Sequence, residues 1–106
     1  VAFGQILGNK LLATPRLAAL CEEATVAAVA PCLADSETTV GLRLELDHLA
    51  PSRVGTSVAA TAVLEEVAGR RLDFAVAARD GSRLVARGRV TRAVVDRASF
   101  LERAGA

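Results

Sequence analysis

The chain has 106 residues, 52% of them hydrophobic and 24% charged, with a formal net charge of +1. Thirteen basic residues are balanced by twelve acidic ones and there is no Trp or Tyr, so the charged, aromatic footprint of a nucleic-acid binder is absent. Residues 24–34, the longest uncharged apolar run, reach about half the length a bilayer demands and contain Pro31.

The N-terminus lacks the basic-then-apolar layout of a signal peptide, which leads to the expectation of a cytoplasmic protein. It also lacks a Met, so the numbering is expected to begin inside a longer chain. The length is that of one domain, residues 1–106. A domain this small buries only part of its surface on folding. Its apolar excess therefore points to a second buried surface, and a homodimer is the simplest form of it.

Thr14-Pro15 reads as a helix start, with Thr14 as N-cap and Pro15 at the first helical position. The helix is expected to run from Arg16 to about Leu33. Leu17, Leu20, Cys21, Ala24 and Ala28 recur at helical spacing, and Ala18, Val26 and Val29 make the other side apolar too, the pattern of a buried helix. Pro31 should loosen its last turn. The two cysteines, Cys21 and Cys32, would lie about 16 Å apart along such a helix, beyond disulfide reach. They read as buried small hydrophobes in a reducing compartment.

Beyond Asp35-Ser36 the period changes to two. Leu42, Leu44 and Leu46 alternate with Arg43, Glu45 and Asp47 in a half-buried strand, and His48 shares the parity of the leucines. Val58, Ala60, Ala62 and Leu64 mark one face of a second strand, and Leu72, Phe74, Val76 and Ala78 one face of a third. Asp80-Gly81 is a hairpin signal leading into a fourth strand, Leu84 to about Val95, and residues 96–103 suit a short helix. One long helix followed by an antiparallel meander gives an α+β domain with the helix packed on one sheet face. Joining two such sheets edge to edge would protect a strand edge.

Chemistry concentrates on few residues. Glu22 is a carboxylate in an apolar helix, and a buried carboxylate is costly unless it is paired. Its neighbour Glu23, about 100° around the helix, is expected to face solvent or a salt bridge. His48, the chain's one His, is expected to point to the apolar face. A lone His so placed is commonly a satisfied structural residue. Thr14 and Glu22 lie roughly two turns apart on the same side of the helix, and the next strand is expected to bring His48 within range. The carboxylate would then be base or nucleophile, the imidazole an orienting or proton-transfer partner, and the hydroxyl a donor. No Cys/His spacing supports a metal site.

The segments "LATPRLAALCEEA", "TTVGLRLELDHLAPSRVG", "EVAGRRLDFAVAARDG" and "RAVVDRASF" together resemble the fluoroacetyl-CoA thioesterase-like family of hot-dog-fold proteins across nearly the whole chain. The resemblance rests on an ordered set, a Thr before the helix, a Glu eight residues later, then a Gly and a His in the following strand. Here these are Thr14, Glu22, Gly41 and His48. It implies a hot-dog homodimer with its site at the subunit interface, hydrolysis of acyl-CoA thioesters, and Thr14, Glu22 and His48 as the catalytic set. No cofactor beyond the coenzyme A thioester substrate is implied. The backbone of Gly41 would contribute to the oxyanion contact, and Arg92 matches a family-like basic position near the substrate. The fluoroacetate-selective member carries phenylalanines ahead of its catalytic Thr. Here no aromatic occurs between Phe3 and Phe74, so tolerance of small to medium acyl groups is expected instead. The alternative is a non-catalytic protein that binds acyl-CoA or another small ligand in the same groove.

Overall fold

The computed structural model describes residues 3–6, 9–53 and 55–105. A hairpin of β1 (Phe3–Ile6) and β2 (Asn9–Leu12) comes first, with Phe3 opposite Leu12 and Ile6 opposite Asn9. Next come α1 (Thr14–Val29), a 3-10 turn (Ala30–Cys32), β3 (Glu37–His48), β4 (Val58–Ala68), β5 (Arg71–Asp80), β6 (Arg83–Asp96) and α2 (Arg97–Arg103). The last four strands form one antiparallel sheet in the order β3-β6-β5-β4, so β3 and β4 are its edges. This is the expected α+β arrangement of a long helix on an antiparallel sheet. No hairpin was expected before the helix.

The core forms where α1 crosses the sheet. Leu72, Phe74, Val76 and Ala78 alternate inward along β5 and are all buried, as their period of two requires. They meet Val85 and Val90 of β6 and the buried stripe Leu17, Cys21, Thr25 and Val29 of α1. That stripe recurs every fourth residue, so the helix is buried on one face only. Val26 is 45% exposed, and Ala27 and Ala28 are exposed with it. The expectation of a helix buried all round does not hold for one chain, since the sheet covers a single side. Thr25 is buried without penalty because its hydroxyl donates to the Glu22 carbonyl at 2.6 Å.

Both helix ends differ from the sequence expectation. The N-cap is Ala13, whose carbonyl accepts from the Arg16 and Leu17 amides, and Thr14 is the first helical residue. The helix stops at Val29 rather than near Leu33. Pro31 has no N–H to continue the ladder, and the chain tightens into the 3-10 turn. Cys32 there is exposed, contrary to expectation, whereas Cys21 is buried; both are free thiols.

In the sheet, β3 begins five residues before Leu42. The β3–β6 register shifts between Gly41 and Arg43, so Leu42 is the extra residue of a bulge and leaves the parity of the strand. It is 59% exposed and Leu44 is 37% exposed, while Leu46 is half-buried. A second shift, between Leu64 and Glu66, makes Glu65 the extra residue, and Leu64 beside it is 44% exposed although it keeps its place opposite Phe74. Asp80-Gly81 makes the expected hairpin, with Gly81 at φ +61°, and Asp96 caps α2 by accepting from the Ser99 amide at 2.9 Å. Among the described residues no helix is long and apolar enough to cross a membrane.

Candidate active site

Thr14 and His48 are brought together by the chain on either side of them. The Leu12 amide donates to the Ser52 carbonyl at 2.8 Å, tying the approach to α1 to the loop after β3. The Leu49 and Ala50 amides donate to the Val85 carbonyl and hold that loop on β6. Thr14 Oγ1 then lies 2.9 Å from His48 Nδ1, although 34 residues separate them in sequence. The hydroxyl read as a helix cap therefore serves the imidazole instead. Thr14 is exposed and His48 half-buried. His48 Nε2 is buried and, among the described residues, has no partner, as is Ser52 Oγ. Since Nδ1 already meets Thr14, Nε2 is the ring nitrogen available to a further partner, as donor or acceptor according to the tautomer.

Glu22 belongs to a second cluster. Its Oε2 lies 3.4 Å from Arg92 Nη1, with the Glu22 side chain 41% exposed and that of Arg92 only 9% exposed. Arg92 in turn donates through Nε to Thr39 Oγ1 at 2.9 Å and through Nη2 to the Thr39 carbonyl at 3.0 Å. Gly41 stands opposite Arg92 in the β3–β6 ladder, and a Cβ there would come within 3.1 Å of Glu22 Oε2 and 3.5 Å of Arg92 Nη1. The missing side chain is what lets the carboxylate and guanidinium lie over β3. Glu23 turns away, 64% exposed and 3.5 Å from Arg16.

The two clusters are separate within one chain. Thr14 and Glu22 are about 12 Å apart along α1, and Gly41 and His48 about 20 Å apart along β3. No described hydrogen bond or ion pair joins Glu22 to Thr14 or His48. The expected meeting of hydroxyl, carboxylate and imidazole is thus realised as a Thr14–His48 pair and, further along the same helix–strand seam, a Glu22–Arg92–Gly41 cluster. Sequence reading passed over Thr39, although it shares the face of Gly41 two residues away. An apolar groove of about 410 Å³ lies beyond Arg92, lined by Val29, Cys32, Leu33, Leu72, Phe74 and Val94 among others; none of Thr14, Glu22 and His48 lines it. No group of three metal-ligating side chains occurs among the described residues.

Chemically, the Thr14–His48 distance is within proton-transfer reach. Glu22 is a partly solvated carboxylate with one oxygen against a guanidinium and the other without a described partner. Phe74 is fully buried in the core and Phe100 lies on α2, so neither stands ahead of Thr14 as a gate. The side chains before Leu12 lie outside the described residues.

A long helix laid on an antiparallel sheet, with a polar site along the seam, is the hot-dog class of protein. A family described as fluoroacetyl-CoA-specific thioesterase matches residues 1–98, and the chain belongs to that family. It is 36% identical over 91 residues to the fluoroacetyl-CoA thioesterase of Streptantibioticus cattleyicolor, a match spanning 86% of this chain and 66%, just under two thirds, of that enzyme. The solved structure of the fluoroacetyl-CoA thioesterase FlK superimposes with a TM-score of 0.86 at 35% identity, covering 90% of this chain and 70% of the other. A hot-dog-like protein from Thermanaerovibrio acidaminovorans follows at 0.83 and 26% identity, covering 89% of this chain and 70% of its own.

Proposed function

We propose that this chain is one subunit of a homodimeric thioesterase that hydrolyses small to medium acyl-CoA thioesters. The observation that carries the reading is the Thr14–His48 contact of 2.9 Å at the exposed start of α1. It is a hydroxyl–imidazole pair poised for proton transfer, in a chain of thioesterase family. The substrate class draws support from a structure of a FlK variant described as a complex with fluoroacetate and CoA, 37% identical to this chain.

In this reading Glu22 removes a proton from water, which adds to the thioester carbonyl. Arg92 and the backbone at Gly41 offset the charge developing there. The Thr14–His48 pair supplies a proton to the departing sulfur, so the products are a carboxylic acid and a free thiol. The 2.9 Å distance also favours a second route, in which His48 draws the proton from Thr14 and the hydroxyl attacks, forming an ester that water then cleaves. A pre-steady-state burst of thiol equal to the number of sites would identify that second route.

The separation of the two clusters supports placing the complete site between two chains. β3 is a sheet edge, carries Gly41 and His48, and exposes Leu42 and Leu44. An antiparallel self-pairing of β3 about its middle would carry Gly41, and so Glu22, toward the partner's His48. The two free cysteines suit a reducing, cytoplasmic location.

The test is a panel of acyl-CoAs, from acetyl and fluoroacetyl to hexanoyl, with thiol release followed directly. Turnover of several short to medium chains is expected, without a large fluoroacetyl preference. No turnover of any acyl-CoA, together with tight binding of one, would favour the binding-protein reading, for which the apolar groove is the natural pocket. A preference for fluoroacetyl- over acetyl-CoA of several orders of magnitude would overturn the expectation of broad tolerance.

A further inference from the structure

We infer that Thr39 is a positioning residue that holds Arg92 end-on to Glu22 and keeps the carboxylate from being captured by a two-point ion pair. The inference rests on the reading of Glu22 given above.

A guanidinium presents five N–H donors in a rigid plane, and a carboxylate pairs with it most strongly by taking two at once along one edge. Here the Nε/Nη2 edge is already occupied, both bonds ending on Thr39, one on its hydroxyl and one on its carbonyl. Three N–H groups remain, two on Nη1 and one on Nη2, and with the plane fixed by Thr39 Glu22 meets only Nη1, at 3.4 Å. Arg92 is 7% exposed and Thr39 9% exposed, so solvent does not compete strongly for the clamp. Thr39 is also β-branched, which restricts its χ1 and fixes the direction of its hydroxyl. Gly41, two residues along β3, clears the space in which Glu22 Oε2 and Arg92 Nη1 approach. Thr39 and Gly41 act together: one fixes the plane of the guanidinium, the other leaves the gap over which it meets the acid. An Arg92 released by Thr39 would be able to turn its Nε/Nη2 edge onto both oxygens of Glu22 and occupy the oxygen that must take a proton from water.

Thr39→Val keeps the shape and removes the hydroxyl acceptor, and Thr39→Ser keeps the acceptor. The expected result is that T39V lowers kcat at least tenfold with KM for acyl-CoA changed only a few-fold, while T39S returns kcat to within a few-fold of the parent. The Arg92 Nε–H resonance, assigned through Arg92→Lys, should be slow to exchange in the parent and in T39S, and fast or shifted in T39V. Should T39V fail to fold, Thr39→Ala carries the same expectation. Parent-like kcat in the hydroxyl-less variant would overturn the inference. An unchanged Arg92 Nε–H signal would do the same, as would a loss that T39S does not restore. If the parent hydrolyses no acyl-CoA the thioesterase reading fails, and with it the catalytic consequence of the clamp. The resonance arm then still decides whether Thr39 holds Arg92.

Discussion

Glu22 and Glu23 are adjacent in sequence, yet about 100° of helix sends one over β3 to Arg92 and the other out to Arg16. Their roles should separate accordingly. Glu22→Gln keeps size and removes the charge, so a folded protein with hydrolysis reduced on the order of a hundredfold or more is expected in steady-state assays. Glu23→Gln should stay within a few-fold of the parent, because an exposed pair at 3.5 Å contributes little. The cysteines give a second residue-scale expectation. Burial pushes the Cys21 thiol above its ordinary value, whereas Cys32 is exposed. A disulfide-exchange reagent at mildly alkaline pH should titrate one thiol per chain rapidly and the other only in denaturant; two fast thiols would contradict the packing of α1. At this scale the sequence pointed to Glu22 and His48 because a carboxylate in an apolar run and a strand parity are local signals. Thr14 carried two readings, helix cap and companion of His48, because Thr-Pro satisfies the capping rule equally well and a partner 34 residues away leaves no local signal. Thr39 went unseen for the same reason, its partner being 53 residues distant across a ladder.

At the scale of elements, the five long ones were legible because each carries its period of 3.6 or 2 without interruption over at least six residues. The β3 bulge was not, because nothing in "TTVGLRLELDH" distinguishes an extra residue from a continuing alternation. The β3–β6 ladder that carries the site depends on Gly88, where an added Cβ would sit 1.9 Å from the Glu45 carbonyl oxygen, a backbone atom that cannot move alone. Gly88→Ala is therefore expected to cost roughly 3 kcal/mol or more and to lower activity by displacing β3, read by denaturant unfolding. A parent-like midpoint would show that the strands are not so close. Asp96 gives a pH expectation for α2. The Ser99 amide and hydroxyl hold its carboxyl below the ordinary value of 3.8. The charged form thus favours the folded helix above that value, and the contribution disappears as pH falls through the lowered one. Protection of the Ser99 amide, taken relative to its intrinsic exchange rate, should fall below about pH 4 while the sheet stays protected, and in Asp96→Ala it should be low at neutral pH as well.

For the whole molecule, one chain leaves two polar clusters apart on the same helix–strand seam and a bare strand edge between them. The apolar excess of the sequence suggested a second subunit joined along a sheet edge, but not which edge, since edge exposure is a property of strand order. Exposed Leu42 and Leu44 on β3 are the side chains that pairing would cover; Val63, Leu64 and Val67 lie on the opposite edge, β4. Sedimentation at micromolar concentration should give a dimer, and a charge-bearing change such as Leu44→Glu should shift it toward monomer with loss of turnover. The decisive measurement is complementation between Glu22→Gln and His48→Ala chains, each nearly inactive alone, unfolded together in equal amounts and refolded. With Glu22 from one chain and Thr14–His48 from the other, every mixed dimer holds one intact site, and random assembly restores about a quarter of parent activity. If the three residues act within a single chain, every site keeps a lesion and the refolded mixture is no more active than the separate variants, which would contradict the account.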